Sequence, residues 1–554
     1  MFLFDLFRSF LPIHNPIGFG AADFIELALA LVLVALALTW RPWLVPLLTK
    51  AARHPRWSMP LLALLPIILR LALIGTYPIP IARVSDDFSY LLLAGTFQHF
   101  RLANPIHPLH QFFETFFVLQ EPSYSSIFPV GQGILLALFG SHWIGVAFSI
   151  AALSALTYWM LSGWLARQSA FLGGLFAALM FGPLNQWMNS YWGGALSAVA
   201  GCLVFGALPR LHRGRTYSWL LGAGLAIQLL TRPFEFFLLL ASVAAYLVYQ
   251  RRNIAQHAAI ASACILPALL LMLAHNHAVT KSWTTLPYQL SRTQYGVPAS
   301  FTFQPNPVPN RELTREQQLD YEIQSQVHGS NTDSPARYLN RLLSRVSFYR
   351  FFFLAPLYCA LVFFLFTLRQ PRSRWILFTI LLFALGVNFY PYFYPHYIAA
   401  ISSLLTLAAL IGLARSNRIL GRMIIYVGAF HFVFWYGVHL ADIRPLESFE
   451  TWVNIDRANP EGRTAVQQRL TEAPGKQLVF VRYGPQHAFQ EWVHNSADVD
   501  SQPVVWARDL GPLEDEKLRQ YYPDRTAWLL QPDNQPPTLS TYEADSLPTM
   551  EQVP

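Results

Sequence analysis

Long apolar stretches alternate with short polar connections along most of the chain, and the pattern changes near residue 441. The apolar runs fall near 21–40, 60–77, 143–161, 168–186, 192–209, 217–231, 233–250, 257–274, 350–368, 375–390, 397–414 and 423–440. Uninterrupted runs of this kind predict membrane-crossing helices, because a hydrocarbon core of about 30 Å takes roughly 20 helical residues. The count is about twelve spans. The segment IFPVGQGILLALFG, 127–140, is too short to cross alone and predicts a re-entrant or interfacial helix. Beyond 441 the period shortens. KQLVFVRYG, QPVVWARDL and TAWLLQPD predict strands, and LEDEKLRQYY predicts a helix between the last two.

The expected fold class is therefore an all-α polytopic membrane protein with a small C-terminal α/β extracytoplasmic domain. The division runs 1–59, an N-terminal segment with an additional transmembrane helix; 60–440, the membrane domain; and 441–554, a soluble tail. The tail either caps the membrane part or stands as a stable appendage. It has no glycine-rich phosphate fingerprint.

Composition sharpens this. The chain is 54% hydrophobic and only 13% charged, where soluble domains carry about a quarter charged residues. That excludes a soluble enzyme and an amphipathic surface protein. The net charge of +8 conceals a division: residues 1–440 hold 29 Lys/Arg against 13 Asp/Glu, while 441–554 hold 10 against 18. In the first part the basic residues collect in alternate connections: Arg41, Lys50, Arg53, Arg56; Arg167; Arg210, Arg213, Arg215; Arg251, Arg252; Arg369, Arg372, Arg374; and Arg415, Arg418, Arg422. These connections contain no acidic residue. The positive-inside rule turns them to the cytoplasm. The segments 78–142 and 275–349, NQWMNSYWGG, TRPFE, NFYPYFYPHY and the tail then face outward. No basic patch with stacking aromatics points to nucleic acid. Cys202, Cys264 and Cys359 lie in apolar runs and indicate neither a disulfide framework nor a thiol–metal site. The amino terminus lacks a cleavable-signal pattern, so 21–40 reads as a retained span.

Candidate chemistry concentrates on the outward side. Asp86 and Asp87, in IARVSDDFSYLLLAGTFQHF, stand where an acid is costly unless it does something. One reading is a solvated helix cap, since DDFSYLLLAGTF can begin a helix. The other is a general base for an acceptor hydroxyl, with a neighbour that orients it or binds a cation, Asp87 being the candidate for the latter. Further along, HPLHQFFETFFVLQEPSYSSIFPVGQG offers His107, His110, Glu114, Glu121 and Tyr124. His110 and Glu114, at i and i+4, would share a helix face. This is half of a metal site without the rest of a zinc ligand set. Glu114, Glu121 and Tyr124 are candidates for acceptor or sugar contact, as are Asn189 and Tyr191 in NSYWGGA. For the latter pair the alternative is ordinary helix packing through Gly193 and Gly194.

Arg232 interrupts LAIQLLTRPFEFFLLL between two spans. Its planar fork suits phosphate oxygens; the alternative is a structural pair with Glu235. Lys281 in AVTKSWTTLPY and His396 in YPYFYPHYIAA are second candidates for the same phosphate. Tyr390, Tyr392 and Tyr394 form either an interfacial aromatic belt or a sugar-stacking surface.

Taken together, SDDFSYLLLAGTF, EPSYSSIFPVGQGILLA, NSYWGG and TRP, set among ordered hydrophobic helices with a soluble tail, resemble the GT-C class of integral-membrane glycosyltransferases. Bacterial relatives of the protein O-mannosyltransferase and aminoarabinose transferase group are the nearer likeness, over roughly residues 60–440. The resemblance implies a polyprenyl-phosphate sugar donor and a glycan, lipid or protein acceptor reached from the outer face of a bacterial inner membrane. It implies Asp86 or Asp87 as base, and Arg232 near the donor phosphate. Some relatives need a divalent cation and others do not. The span at 21–40 is additional to the usual pattern. Two other classes compete. A transporter or flippase predicts internal repeats and charges near the membrane midplane. A non-catalytic polysaccharide-assembly component predicts tolerance of neutral residues at both aspartates.

Overall fold

In the computed structural model the described residues are 21–39, 50–52, 54–249, 254–296, 298–328, 333–354, 357–447, 455, 457, 462–487 and 491–542. The chain divides into two compact units, one formed by residues 1–80, 143–271 and 333–457, the other by 81–142, 272–332 and 458–554.

The first unit is helical. Helix covers much of the apolar sequence among the described residues, for example Pro55–Ala72, His142–Leu161, Arg167–Met180, Thr216–Thr231 and Pro233–Tyr249. Among the described residues of the whole chain, five helices are long and apolar enough to cross a membrane: His142–Leu161, Ala195–Arg213, Ala255–Thr280, Pro395–Arg415 and Arg418–Leu440. A sixth is reached if Pro335–Phe352 and Leu357–Leu365, bent by 118°, form one span. That region corrects the sequence expectation of one continuous helix over 350–368. It holds 3-10 turns at Val346–Phe352 and Leu357–Cys359 before a short helix, Ala360–Leu365.

Close backbone approach sets how these helices pack. A Cβ at Gly201 would lie 1.7 Å from the Ala400 carbonyl oxygen, so helix Ala195–Ala207 and the turn Pro395–Ile401 meet through a bare backbone. Arg210, one of the connection cations, is buried. It donates to the carbonyls of Gly206 and Trp159, both at 2.6 Å, and to Ser162 Oγ at 2.8 Å. Here the guanidinium closes a helix end whose carbonyls would otherwise lack donors.

The second unit is mixed. Helix Ser85–Gln98 begins at the aspartate pair, as DDFSYLLLAGTF predicted, and Val130–Ala137 forms the short helix expected within 127–140. The two pack tightly: a Cβ at Gly133 would stand 2.5 Å from Leu93 Cγ. Between them lies a small hairpin that the sequence pattern did not suggest, β1 (Val118–Leu119) antiparallel to β2 (Ser125–Ser126).

The tail strands are β3 (Lys476–Val481), β4 (Val504–Arg508), β5 (Arg525–Gln531) and β6 (Thr538–Thr541), in the order β4-β3-β5-β6. The first two pairings are parallel and the last antiparallel. Nearly continuous apolar strands such as LVFV fit a parallel sheet covered on both faces, and both are covered here. Leu478, Phe480, Val505 and Ala507 pack with Leu518 and Tyr522 and also with Leu92, Phe112, Phe113, Val118 and Tyr124 of the 81–142 segment. Val479, Val481, Val504 and Trp506 pack with Val466, Leu470, Trp492 and Val493. Period-2 alternation thus assigns one face of the sheet to its own flanking helix, Arg463–Glu472, and the other to the segment that carries the aspartates.

Candidate functional site

In the second unit, Asp86 and Asp87 occupy the first turn of Ser85–Gln98. Asp87 is buried, and its Oδ2 accepts from the backbone amides of Arg83 at 3.1 Å and Val84 at 3.5 Å. It therefore closes the helix start, where amides lack partners and negative charge is favoured. Asp86 is half-buried. Around them, Ser89 Oγ donates to the Phe117 carbonyl and lies 2.7 Å from Ser126 Oγ, which ties the helix to the hairpin. Phe88 stacks on His494 of the tail at 3.9 Å, and the Arg463 guanidinium sits 4.8 Å over the Phe88 ring. The tail thus flanks the helix start on which both acids ride.

Glu114 belongs to a buried ionic network. Arg311 Nη2 donates to its Oε1, while Tyr295 Oη at 3.0 Å and Gln317 Nε2 at 3.3 Å donate to its Oε2. Arg508 Nη1 reaches the Glu114 carbonyl at 3.4 Å, and its guanidinium pairs with Glu316 and, at 3.4 Å, with Glu491. Tyr483 Oη donates to Glu491 at 2.7 Å. Burial and the Glu114 charge together hold the Tyr295 hydroxyl well above the usual phenol range. Burial also raises the Glu491 carboxyl to about 8 and lowers the Arg508 guanidinium to about 10. Three segments far apart in sequence are joined by this network.

The expectation that His110 and Glu114 share a helix face is corrected. His110–Phe113 is a single 3-10 turn, and Glu114 leaves it with ψ 127°. With three residues per turn, i and i+4 no longer align. His110 faces Glu121 instead, Nε2 to Oε1 at 3.8 Å, and the Glu121 side chain is half-exposed. Tyr124 is buried and donates to the Asn495 carbonyl at 3.0 Å. Among the described residues, no group of three or more His, Cys, Asp or Glu side chains is placed to hold a metal ion.

In the first unit, Asn189 holds a turn together. Its Oδ1 accepts from Arg70 Nε at 2.8 Å and its Nδ2 donates to the Pro183 and Asn185 carbonyls at 2.9 Å. Tyr191 Oη donates to the Pro80 carbonyl at 2.7 Å. Arg232 and His396 are brought to one aromatic cluster. The half-buried Arg232 guanidinium lies 4.9 Å over Tyr397, and the buried His396 ring meets Tyr397 at 4.5 Å, Trp192 at 5.0 Å and Tyr394 at 5.7 Å. Glu235 is buried, with Oε2 3.4 Å from Tyr390 Oη. NSYWGG, TRPFE and NFYPYFYPHY therefore meet in space. Tyr392 lies beside this cluster in sequence.

Lys281 belongs to the second unit. Its φ of +61° is left-handed, which costs a non-glycine residue about 1–2 kcal/mol. It lines a cavity of about 580 Å³. Sequence reasoning missed Arg311, Tyr295 and Arg508. The one available signal was Glu114 itself: an acid inside HQFFETFF will be buried, and a buried acid requires a cation.

No family model matches the sequence, and no curated protein matches it either. Among solved structures the chain is similar to ArnT from Cupriavidus metallidurans bound to undecaprenyl phosphate, with TM-score 0.51, 10% identity, and 84% of this chain and 92% of that one covered. The apo state of the same protein matches with TM-score 0.49 and 11% identity over the same shares. An oligosaccharyltransferase from Archaeoglobus fulgidus in complex with zinc and sulfate matches with TM-score 0.44 and 10% identity, over 84% of this chain and 67% of that one. At such identities a likeness is one of fold, and the undecaprenyl-phosphate-bound ArnT structure carries it: this chain shares the fold of that structure over most of its length.

Proposed function

We propose that the chain is an integral-membrane glycosyltransferase that moves a sugar from a polyprenyl-phosphate-linked donor to an acceptor hydroxyl at the outer face of a bacterial inner membrane. Twelve spans, basic connections inside and the tail outside complete this reading. The observation that carries it is the fold shared with an ArnT structure that holds undecaprenyl phosphate. Asp86 is the proposed general base. Asp87 accepts two amides of the helix start and so anchors that turn, while Asp86 beside it is half-buried. The acceptor hydroxyl gives its proton to Asp86 as its oxygen bonds the anomeric carbon. The bond from that carbon to the donor phosphate breaks, and the phosphate leaves with the electron pair.

Arg232, with His396 beside it in the aromatic cluster, is the proposed contact for the donor phosphate. That is a separate assignment with its own test. Glu114, Tyr124, Asn189 and Tyr191 make bonds that suit positioning of backbone, so we assign them support of the site; Glu121 keeps the acceptor-contact role. Transfer from a defined lipid-linked sugar in purified membranes tests the reading. Asp86→Asn lowers kcat by about 10²–10⁴, Asp87→Asn by less, and Arg232→Ala by about 10²–10³ with partial recovery in Arg232→Lys. Normal turnover in all of these overturns the assignment.

A further inference from the structure

A segment of the tail, 492–499, runs along the helix that begins at the aspartates. It meets that helix at Phe88, Leu92 and Gly95, spaced i, i+4 and i+7, which is one face of Ser85–Gln98. The Phe88 ring stacks on His494 at 3.9 Å with 9° between the planes. Leu92 packs in one cluster with Ala497 and Val499. A Cβ at Gly95 would stand 3.4 Å from the Ala497 Cβ, so the helix and the tail approach closely there.

The segment is firmly backed. Asn495 Oδ1 accepts from the Trp506 amide at 2.9 Å and its Nδ2 donates to the Trp506 carbonyl at 2.7 Å. A side chain thus pairs with β4 as a neighbouring strand would. Arg463 adds a second layer. Its guanidinium lies 4.8 Å over the Phe88 ring and 4.4 Å over the Trp492 ring, and it donates to the Glu491 and Trp492 carbonyls at 2.6 and 3.4 Å. Burial and the Arg463 charge hold the His494 imidazole well below its usual range, so a neutral ring meets Phe88. The His494 Nε2 is buried and has no hydrogen-bond partner among the described residues. What this side chain gives the helix is the face of its ring.

We propose that the tail positions the proposed base: the stack of His494 on Phe88, backed by Arg463 and Asn495, holds the first turn of Ser85–Gln98 so that Asp86 stays aligned with the acceptor hydroxyl. His494 is a positioning residue, acting through Phe88. Alignment matters because a displacement of about 1 Å in a reacting group costs up to about 10²-fold in rate. The kinetic consequence rests on the reading of Asp86 as base; the clasp on the helix start does not.

The test uses the full chain in phosphatidylcholine nanodiscs, at a temperature where circular dichroism shows each variant folded. His494→Ala removes the stack and His494→Phe keeps it. Hydrogen exchange in peptides covering 84–92 quickens about tenfold in His494→Ala, the worth of one aromatic pair, and stays parental in His494→Phe. With an undecaprenyl-phosphate-linked sugar as donor, His494→Ala lowers kcat by about 10–10²-fold with KM unchanged, and His494→Phe restores it. In the Asp86→Asn background His494→Ala brings no further loss, because both changes act on one group. Parental kcat in His494→Ala, an equal fall in His494→Phe, or losses that multiply with Asp86→Asn overturn the proposal. Where Asp86→Asn itself transfers sugar normally, the base reading has failed and exchange alone decides: faster opening in His494→Ala leaves the clasp standing, and unchanged exchange removes it.

Discussion

Two acidic regions of the second unit handle buried carboxylates in different ways. At the start of Ser85–Gln98, Asp87 accepts backbone amides and Asp86 beside it is only half-buried. In the network around Arg508, the acids Glu114, Glu316 and Glu491 are all buried and each meets a guanidinium. The second arrangement removes charge from water and must return it through pairing, which stabilises only while every partner is present. The first leaves one carboxylate partly open to solvent on a rigid helix end. An acid that works on a substrate needs access, whereas an acid that joins segments needs enclosure.

The comparison predicts opposite responses to removing one group. Asp86→Asn has the largest effect and it is kinetic: a fall in kcat of about 10²–10⁴ with little change in thermal unfolding. A matching loss of stability would place Asp86 with the network acids. Arg508→Met comes next and acts through the fold. It strands the Glu316 carboxylate at a position where Arg508 is 6% exposed, and the cost is about 3–5 kcal/mol of stability. The readout is the unfolding temperature of the purified protein together with protease sensitivity of the tail. Unchanged stability would mean the network carries no structural load.

Glu491 gives the comparison a pH axis. Burial raises its carboxyl to about 8 in the fold, above the ordinary glutamate value of 4.5. A raised folded value means that the native state holds the proton more tightly between those limits, so stability is greatest below the lower one and falls as pH rises toward 8. Unfolding temperature measured from pH 5 to pH 9 should decline, and Glu491→Gln should flatten that decline. A slope unchanged by the substitution assigns the pH response to another group.

The sequence pattern was most informative where one local rule governs. Apolar runs gave the helices, and strands such as LVFV and VVWA gave the tail sheet with both faces covered. The acids ahead of FSYLLLAGTF marked a helix start. Legibility failed where partners are remote. Glu114 meets Arg311 and Tyr295 across separations of 197 and 181 residues, and no periodicity links such positions. It also failed where two local geometries compete, as in the 3-10 turn at His110–Phe113.

The smallest effect tests how the tail is fastened beside the aspartates. Tyr124 is buried in the core shared by the sheet and the 81–142 segment, and its hydroxyl donates to the Asn495 carbonyl. Tyr124→Phe keeps the ring and its packing while removing one donor. The Asn495 carbonyl loses a bond but keeps a second lone pair and nearby solvent, so the cost is about 1 kcal/mol. Transfer activity should be nearly unchanged at low temperature and should fall at a lower temperature than in the parent protein. If Tyr124→Phe instead reduces kcat at low temperature with no loss of stability, its hydroxyl contacts the acceptor, and the division between accessible acids and enclosed supports must be redrawn to include this tyrosine.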